Sequence, residues 1–216
     1  MMSVPKLVIF DCDGVLVDTE NLANRRLAEW LSGAGFATTF EYCRKHFSGR
    51  SMASVQKEIE AATEVRLGVD FVDRWNAGLP DLFAHGVEAI PYVRDFIEKV
   101  RAAGIAYCVA SSARVSKMHI TLGQTGLLPL FEHAMFSSTM VGRGKPFLYA
   151  AKTMGFAPAD CIVIEDSVAG TEAGIAAGMR VFSYHADPYS DPHGLEEAGG
   201  ILFDDMRALA GLVPIG

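Results

Sequence analysis

No apolar run in this 216-residue chain approaches the ~20 residues that a membrane-spanning helix requires. A bilayer-crossing protein is therefore not expected. The basic residues form no block or stripe. With 19 Lys and Arg against 26 Asp and Glu the formal charge is −7, which argues against a surface that tracks nucleic-acid phosphates. The four cysteines, Cys12, Cys43, Cys108 and Cys161, are scattered, with no CxxC pair and no histidine at ligand spacing. Neither a disulfide framework nor a zinc site is expected, and Cys108 and Cys161, inside apolar runs, read as buried thiols. The N-terminal stretch lacks the long apolar region of a secretory signal, so the cytoplasm is the default location. Internal repeats and low-complexity tracts are also missing, and a monomer is the default state.

Short apolar runs alternate with segments of helical period. The runs are Leu7–Phe10, Ile105–Ala110, Cys161–Ile164, Val181–Phe182 and Ile201–Phe203. One intervening helix is expected to start at Pro91, bury Val93, Phe96, Ile97 and Val100, and stop at Gly104. This rhythm predicts an α/β fold, a Rossmann-like parallel sheet with helices on both faces. The stretch after the first strand breaks the rhythm. Ala23, Leu27, Trp30, Leu31 and Ala34 fall on one helical face, as do Val55, Ile59 and Ala62, and then Phe71, Trp75, Leu79 and Leu82. Gly78 and Pro80 are expected to weaken or kink the last of these helices. A helical cap at residues 19–83 is therefore expected, inserted into a catalytic core made of residues 1–18 and 84–216; such lids commonly close on a ligand.

Three of the apolar runs end in polar residues. Val8-Ile9-Phe10 leads into Asp11-Cys12-Asp13, Cys108-Val109-Ala110 into Ser111-Ser112, and Ile162-Val163-Ile164 into Glu165-Asp166. If these strands are parallel neighbours, their polar ends lie along the edge where open α/β sheets bind ligands. An isolated DxD most often marks a turn or a cap, Glu165-Asp166-Ser167 before a helix could be an N-cap, and a lone Lys145 is usually solvated. The joint pattern, each element directly after an apolar strand, points instead to one crevice. Four carboxylates there cannot all stay ionised unaided, since two charges ~4 Å apart repel by roughly 4 kcal/mol at an effective dielectric of 20. Either carboxyl pKa values rise or a cation binds, and an oxygen-only donor set favours Mg²⁺ or another hard ion.

At this point the residues resemble a known family. Val8-Ile9-Phe10-Asp11-Cys12-Asp13-Gly14-Val15-Leu16-Val17-Asp18-Thr19-Glu20, Val109-Ala110-Ser111-Ser112, Gly144-Lys145-Pro146, and Ile164-Glu165-Asp166-Ser167-Val168-Ala169-Gly170 with Ala173-Gly174 and Ala176-Ala177-Gly178-Met179 occur in that order. They resemble the haloacid dehalogenase-like hydrolases, in the branch with phosphoglycolate phosphatase and β-phosphoglucomutase. The C-terminal half, including Ala186-Asp187-Pro188, is most similar to bacterial sugar-phosphate and 6-phosphogluconate phosphatases. The resemblance implies a Mg²⁺-dependent phosphatase that acts on a small phosphorylated metabolite. Asp11 would attack phosphorus and become the aspartyl-phosphate. Asp13 would protonate the leaving oxygen and later take a proton from water. Ser111 would hydrogen-bond a phosphoryl oxygen, and Lys145 would neutralise the phosphate. The metal would be held by the carboxylates of Asp11 and Asp166 and the carbonyl of Asp13, with Glu165 orienting a bound water. Ser112, Gly49, Arg50 and Glu20 would face the substrate, Arg50 gripping a second anionic group.

Two rivals stand beside this reading. Mutases of the same branch carry a cap histidine twelve residues after the nucleophile, where this chain has Ala23. A catalytically idle metabolite-binding protein on the same scaffold would have no use for Asp13. Dehalogenases lack an acid/base Asp at that position, because a halide needs no proton to leave. One departure from the family pattern concerns the third motif. Relatives carry about four further residues after its Lys-Pro, whereas Pro146 here runs straight into Phe147-Leu148-Tyr149. Either the loop is shortened or a segment is missing between them.

Overall fold

A computed structural model of the protein describes residues 3–48, 50–141 and 146–215. The strands are β1 (Leu7–Phe10), β2 (Val17–Asp18), β3 (Glu88–Ala89), β4 (Ala106–Ser111), β5 (Met135–Ser137), β6 (Cys161–Glu165), β7 (Arg180–Tyr184) and β8 (Ile201–Phe203). The helices are α1 (Glu20–Gly33), α2 (Phe40–Phe47), α3 (Met52–Ala62), α4 (Phe71–Ala84), α5 (Val93–Ala102), α6 (Val115–Gln124), α7 (Leu128–Phe131), α8 (Phe147–Met154), α9 (Val168–Ala176), α10 (Pro192–Glu197) and α11 (Leu209–Leu212). They fall into two compact units, one of residues 1–17 and 88–216, the other of residues 18–87.

The first unit holds a six-stranded sheet in the order β5-β4-β1-β6-β7-β8, with every pairing parallel. It is the Rossmann-like α/β architecture that the alternating runs predict. β1 and β6 are buried along their whole length. A strand covered on both faces has no polar side to show, which explains why these two read as uninterrupted apolar runs. Side chains of β1 alternate between two cores. Leu7 and Ile9 join Cys108, Cys161, Val163 and Val181 beneath Phe147, Ala150 and Ala151 of α8. Phe10 points the other way, edge-to-face with Phe96 of α5 at 6.1 Å and with Phe131 of α7 at 5.9 Å. Burying each such side chain stabilises the fold by ~1.5–3 kcal/mol.

The helix over residues 93–102 buries Val93, Phe96, Ile97 and Val100 as expected, and Gly104 follows its end at φ +70°. Its start differs from the sequence expectation. Pro91 is not the first helical residue; Tyr92 occupies the N-cap in the left-handed region at φ 63°. Its ring lies under the Arg207 guanidinium, 4.2 Å from the ring centre, a contact from outside the helix that the local pattern could not show. β5, Met135-Phe136-Ser137, was also not among the expected strands. Pro146 leads directly into α8, with the Ala150 N–H donating to its carbonyl at 2.9 Å.

The second unit consists of α1 to α4 around a core of Leu27, Leu31, Cys43, Phe47, Val55, Ile59, Phe71 and Trp75. Trp30 packs edge-on against Trp75 at 5.7 Å. Pro80 lies inside α4, which nevertheless continues to Ala84. Ser51 and Thr39 cap α3 and α2 by accepting the N–H of Ser54 and of Tyr42.

Candidate active site

The register of the central strands decides where the acidic residues meet. β1 lies between β4 and β6, with Phe10 opposite both Val109 and Ile164. Asp11 just after β1, Ser111 and Glu165 as the last residues of β4 and β6, and Asp166 next to it therefore stand at one edge of the sheet, and the Asp11 N–H donates to the Ile164 carbonyl at 2.9 Å. This is the carboxyl end of the strands, beside the point where the chain order changes sides at β1, the place where doubly wound sheets take ligands.

Asp11, Glu165 and Asp166 each present an oxygen, and these oxygens lie within 4.8 Å of one another. Asp11 is 3 % exposed and Glu165 fully buried. The loop backbone makes this crowding possible. Gly14 sits at φ +78°, and a Cβ there would overlap the Asp166 carboxylate. One oxygen of Glu165, Oε2, accepts from the N–H groups of Asp166 at 2.8 Å and Ser167 at 2.7 Å and from Ser167 Oγ at 2.9 Å. Ser167 in turn caps α9 by accepting the Gly170 N–H at 3.1 Å. Ser167 is thus an N-cap, one of the two readings weighed from sequence, and the neighbouring Asp166 brings a carboxylate oxygen within 4.8 Å of one of Asp11. A carboxylate at the start of α9 also gains from the positive end of the helix dipole.

A hard divalent ion fits this donor set. All three offer carboxylate oxygens, and octahedral Mg²⁺ holds its oxygens roughly 3–4 Å apart, compatible with oxygens that lie within 4.8 Å of one another. The remaining donor expected from sequence, the Asp13 carbonyl, belongs to the same loop.

Asp13 extends from this loop toward α6, where its Oδ2 lies 2.8 Å from Lys117 Nζ. Between the two aspartates, Cys12 is buried, with its sulfur 3.9 Å from Thr121 Oγ1. Burial, and then the negative charges of Asp13 and Asp11, push its thiol well above the ordinary cysteine range. It is a spacer here and stays protonated.

Ser111, at the end of β4, is 1 % exposed, and its Oγ accepts the Ala113 N–H at 3.2 Å. Ser112 is exposed, and its carbonyl accepts from Ser138 Oγ at 2.8 Å. Ser137 Oγ donates to the Ala113 carbonyl at 2.7 Å. The unexpected strand β5 and Ser138 just after it thus clamp the Ser111–Ala113 loop at two points.

In the helical unit, Glu20 begins α1 and its Oε2 accepts from Asn24 Nδ2 at 3.2 Å and from the buried Arg44 at 3.4 Å. Arg50 donates to Glu58 Oε2 at 2.6 Å and to the His46 carbonyl at 3.0 Å, so an anion that it gripped would compete with both. Lys145 and Gly49 lie outside the described residues. Sequence reasoning missed Lys117. One lysine on an amphipathic helix carries no signal that separates it from a solvated one.

A doubly wound parallel sheet whose carboxyl edge gathers three carboxylates defines a Rossmann-like α/β protein with its candidate site at the strand ends. Comparison with known proteins names the family. Residues 8–184 match the model described as haloacid dehalogenase-like hydrolase. The chain is 32 % identical over 196 residues to the 6-phosphogluconate phosphatase of Escherichia coli (strain K12), covering 88 % of this chain and 87 % of that one. Among solved structures, a hydrolase of the same family from Deinococcus radiodurans R1, with bound phosphate and sodium, superposes with a TM-score of 0.86 at 27 % identity, covering 98 % and 99 % of the two chains. A candidate β-phosphoglucomutase from Thermotoga maritima does so with a TM-score of 0.78 at 27 % identity, covering 96 % and 97 %. The chain belongs to the haloacid dehalogenase-like hydrolases, and within them it is a phosphoric monoester hydrolase. No helix among the described residues is long and apolar enough to cross a membrane.

Proposed function

We propose that this protein is a Mg²⁺-dependent phosphatase that hydrolyses a small sugar phosphate or sugar-acid phosphate through an aspartyl-phosphate on Asp11. The observation that carries the reading is the meeting of Asp11, Glu165 and Asp166 within 4.8 Å, with a second aspartate two residues along the same loop. Asp11 and Asp166 would hold the ion by their carboxylates and Asp13 by its carbonyl, with Glu165 behind them. When bound, Mg²⁺ offsets the repulsion between these carboxylates and a phosphate dianion.

Asp11 is the nucleophile in this scheme. Asp13 gives a proton to the departing alkoxide, then accepts one from the water that cleaves the acyl phosphate. Ser111 and Ser112 donate to phosphoryl oxygens, and Lys145 neutralises them. Residues 19–83 act as a cap from which Gly49, Arg50 and Glu20 read the rest of the substrate. Support for the substrate class comes from the relative that dephosphorylates 6-phosphogluconate. Alanine at position 23 favours hydrolysis over the mutase reaction, although a candidate β-phosphoglucomutase is among the structural neighbours.

The test is a panel of phosphorylated sugars, sugar acids and glycolate, assayed for phosphate release with Mg²⁺ and with EDTA. Metal-dependent release from at least one sugar or sugar-acid phosphate is expected. Folded protein that releases none would overturn the reading, and faster isomer formation than phosphate release from β-glucose 1-phosphate would favour the mutase.

A further inference from the structure

We infer that Lys117 is a positioning residue for Asp13, fixing the direction in which that carboxylate meets the leaving oxygen. The inference rests on the proposed acid/base role of Asp13.

Three observations carry it. Lys117 Nζ lies 2.8 Å from Asp13 Oδ2 although the two are 104 residues apart in the chain, so the pair is made by the tertiary fold. Both side chains are partly shielded, 32 % and 25 % exposed, in a place where a solvated lysine would extend into water. The helix beneath is held tightly. Met118, Thr121 and Leu122 of α6 are fully buried. Thr121, one turn after Lys117 on the same face, approaches Cys12 with its hydroxyl. Residues 117 and 121 thus grip the Asp11–Asp13 loop at neighbouring points, and a rigid element sets where the ammonium stands.

A partly exposed pair of this kind adds little to stability, and ordering a long lysine side chain opposes it. What it does fix is orientation. Asp13 stands just before the turn that begins at Gly14, and a partly exposed side chain there has several rotamers open to it. Engaging Oδ2 from the α6 side selects one of them. Small displacements of an acid/base group cost large factors in rate.

Leaving groups separate this role from a structural or substrate-binding one. An alkoxide needs the proton that Asp13 delivers, whereas p-nitrophenolate departs as an anion without it. The experiment compares Lys117→Met, Lys117→Arg and Asp13→Asn on p-nitrophenyl phosphate and on glucose 6-phosphate or 6-phosphogluconate, whichever the parent hydrolyses faster. Lys117→Met is expected to lower kcat/KM, which covers phosphoryl transfer to Asp11 but not the later water step common to both esters, about tenfold or more on the sugar phosphate and several-fold less on the aryl ester. Lys117→Arg should recover part of the loss. In the Asp13→Asn background, Lys117→Met should add nothing.

An equal loss of kcat/KM on both esters, a loss confined to KM, or an added loss in the Asp13→Asn background would overturn the assignment. If Asp13→Asn itself shows no preference between the esters, the acid/base reading has failed. If Asp13→Asn shows the preference and Lys117→Met does not, the role of Lys117 alone is wrong.

Discussion

Gly14 and Asp166 occupy adjoining space: the Gly14 Cα, at φ +78°, faces the Asp166 carboxylate so closely that a Cβ would overlap Oδ2. Gly14→Ala therefore meets two penalties. An alanine in the left-handed region costs ~1 kcal/mol, and the methyl must push Asp166 away from Asp11. Expected is a loss of about 1–2 kcal/mol in urea unfolding together with at least a tenfold fall in kcat/KM. Full activity in this variant would show that the close approach has no part in the reaction.

Asp11→Asn keeps the shape of the side chain and removes its charge. Turnover should fall below about a hundredth of the parent rate while the unfolding midpoint holds or rises, because one of three crowded negative charges is gone. Residual turnover above that level would speak against a covalent route through this residue.

Metal binding has a signature independent of turnover. A ligand that binds only the folded state stabilises it by ~2.7 kcal/mol at a hundred times its dissociation constant. For a chain of this size, saturating Mg²⁺ should raise the melting temperature by about 5 °C or more. Asp166→Asn should abolish most of that shift, and an undiminished shift would move the ion to another place.

The four cysteines, all free and buried, give a pH prediction. Burial pushes Cys161 up from 9.0 to about 11, with the nearby Asp160 charge adding to it, and pushes Cys108 further still. The folded-state values are raised, so the contribution of these thiols to stability is fully present below pH 9. It is lost as pH climbs toward 11, where the unfolded chain ionises its thiols and the folded one resists. Melting temperature should therefore decline between pH 9 and 11. At neutral pH a thiol reagent should leave all four unlabelled in folded protein and label all four after denaturation. Rapid labelling of the native form would contradict the burial.

Legibility in the sequence followed how local each signal was. β1 and β6 were plain because burial on both faces leaves an unbroken apolar run, and the buried face of α5 was plain because helical spacing marks it residue by residue. Asp11, Asp13, Glu165 and Asp166 stood out because each follows such a run. β5 was not read from the sequence, and the clamp that Ser137 and Ser138 place on the Ser111–Ala113 loop was missed with it, because that clamp joins residues more than twenty positions apart. Tyr92 as a left-handed N-cap was equally hidden, since the stacked partner, Arg207, comes from the far end of the chain.

The amino-acid sequence alone determined the alternation of buried strands and amphipathic helices, and the acidic or hydroxyl residue at the end of each central strand. Both are properties of a few neighbouring residues, set by side-chain period and by where an apolar run stops. The tertiary structure alone decided that β1 lies between β4 and β6, so that Asp11 faces Asp166, and that α6 brings Lys117 against Asp13. Such pairings join distant stretches at a cost in loop-closure entropy, and only the packing of the whole sheet and its helices selects one set of neighbours.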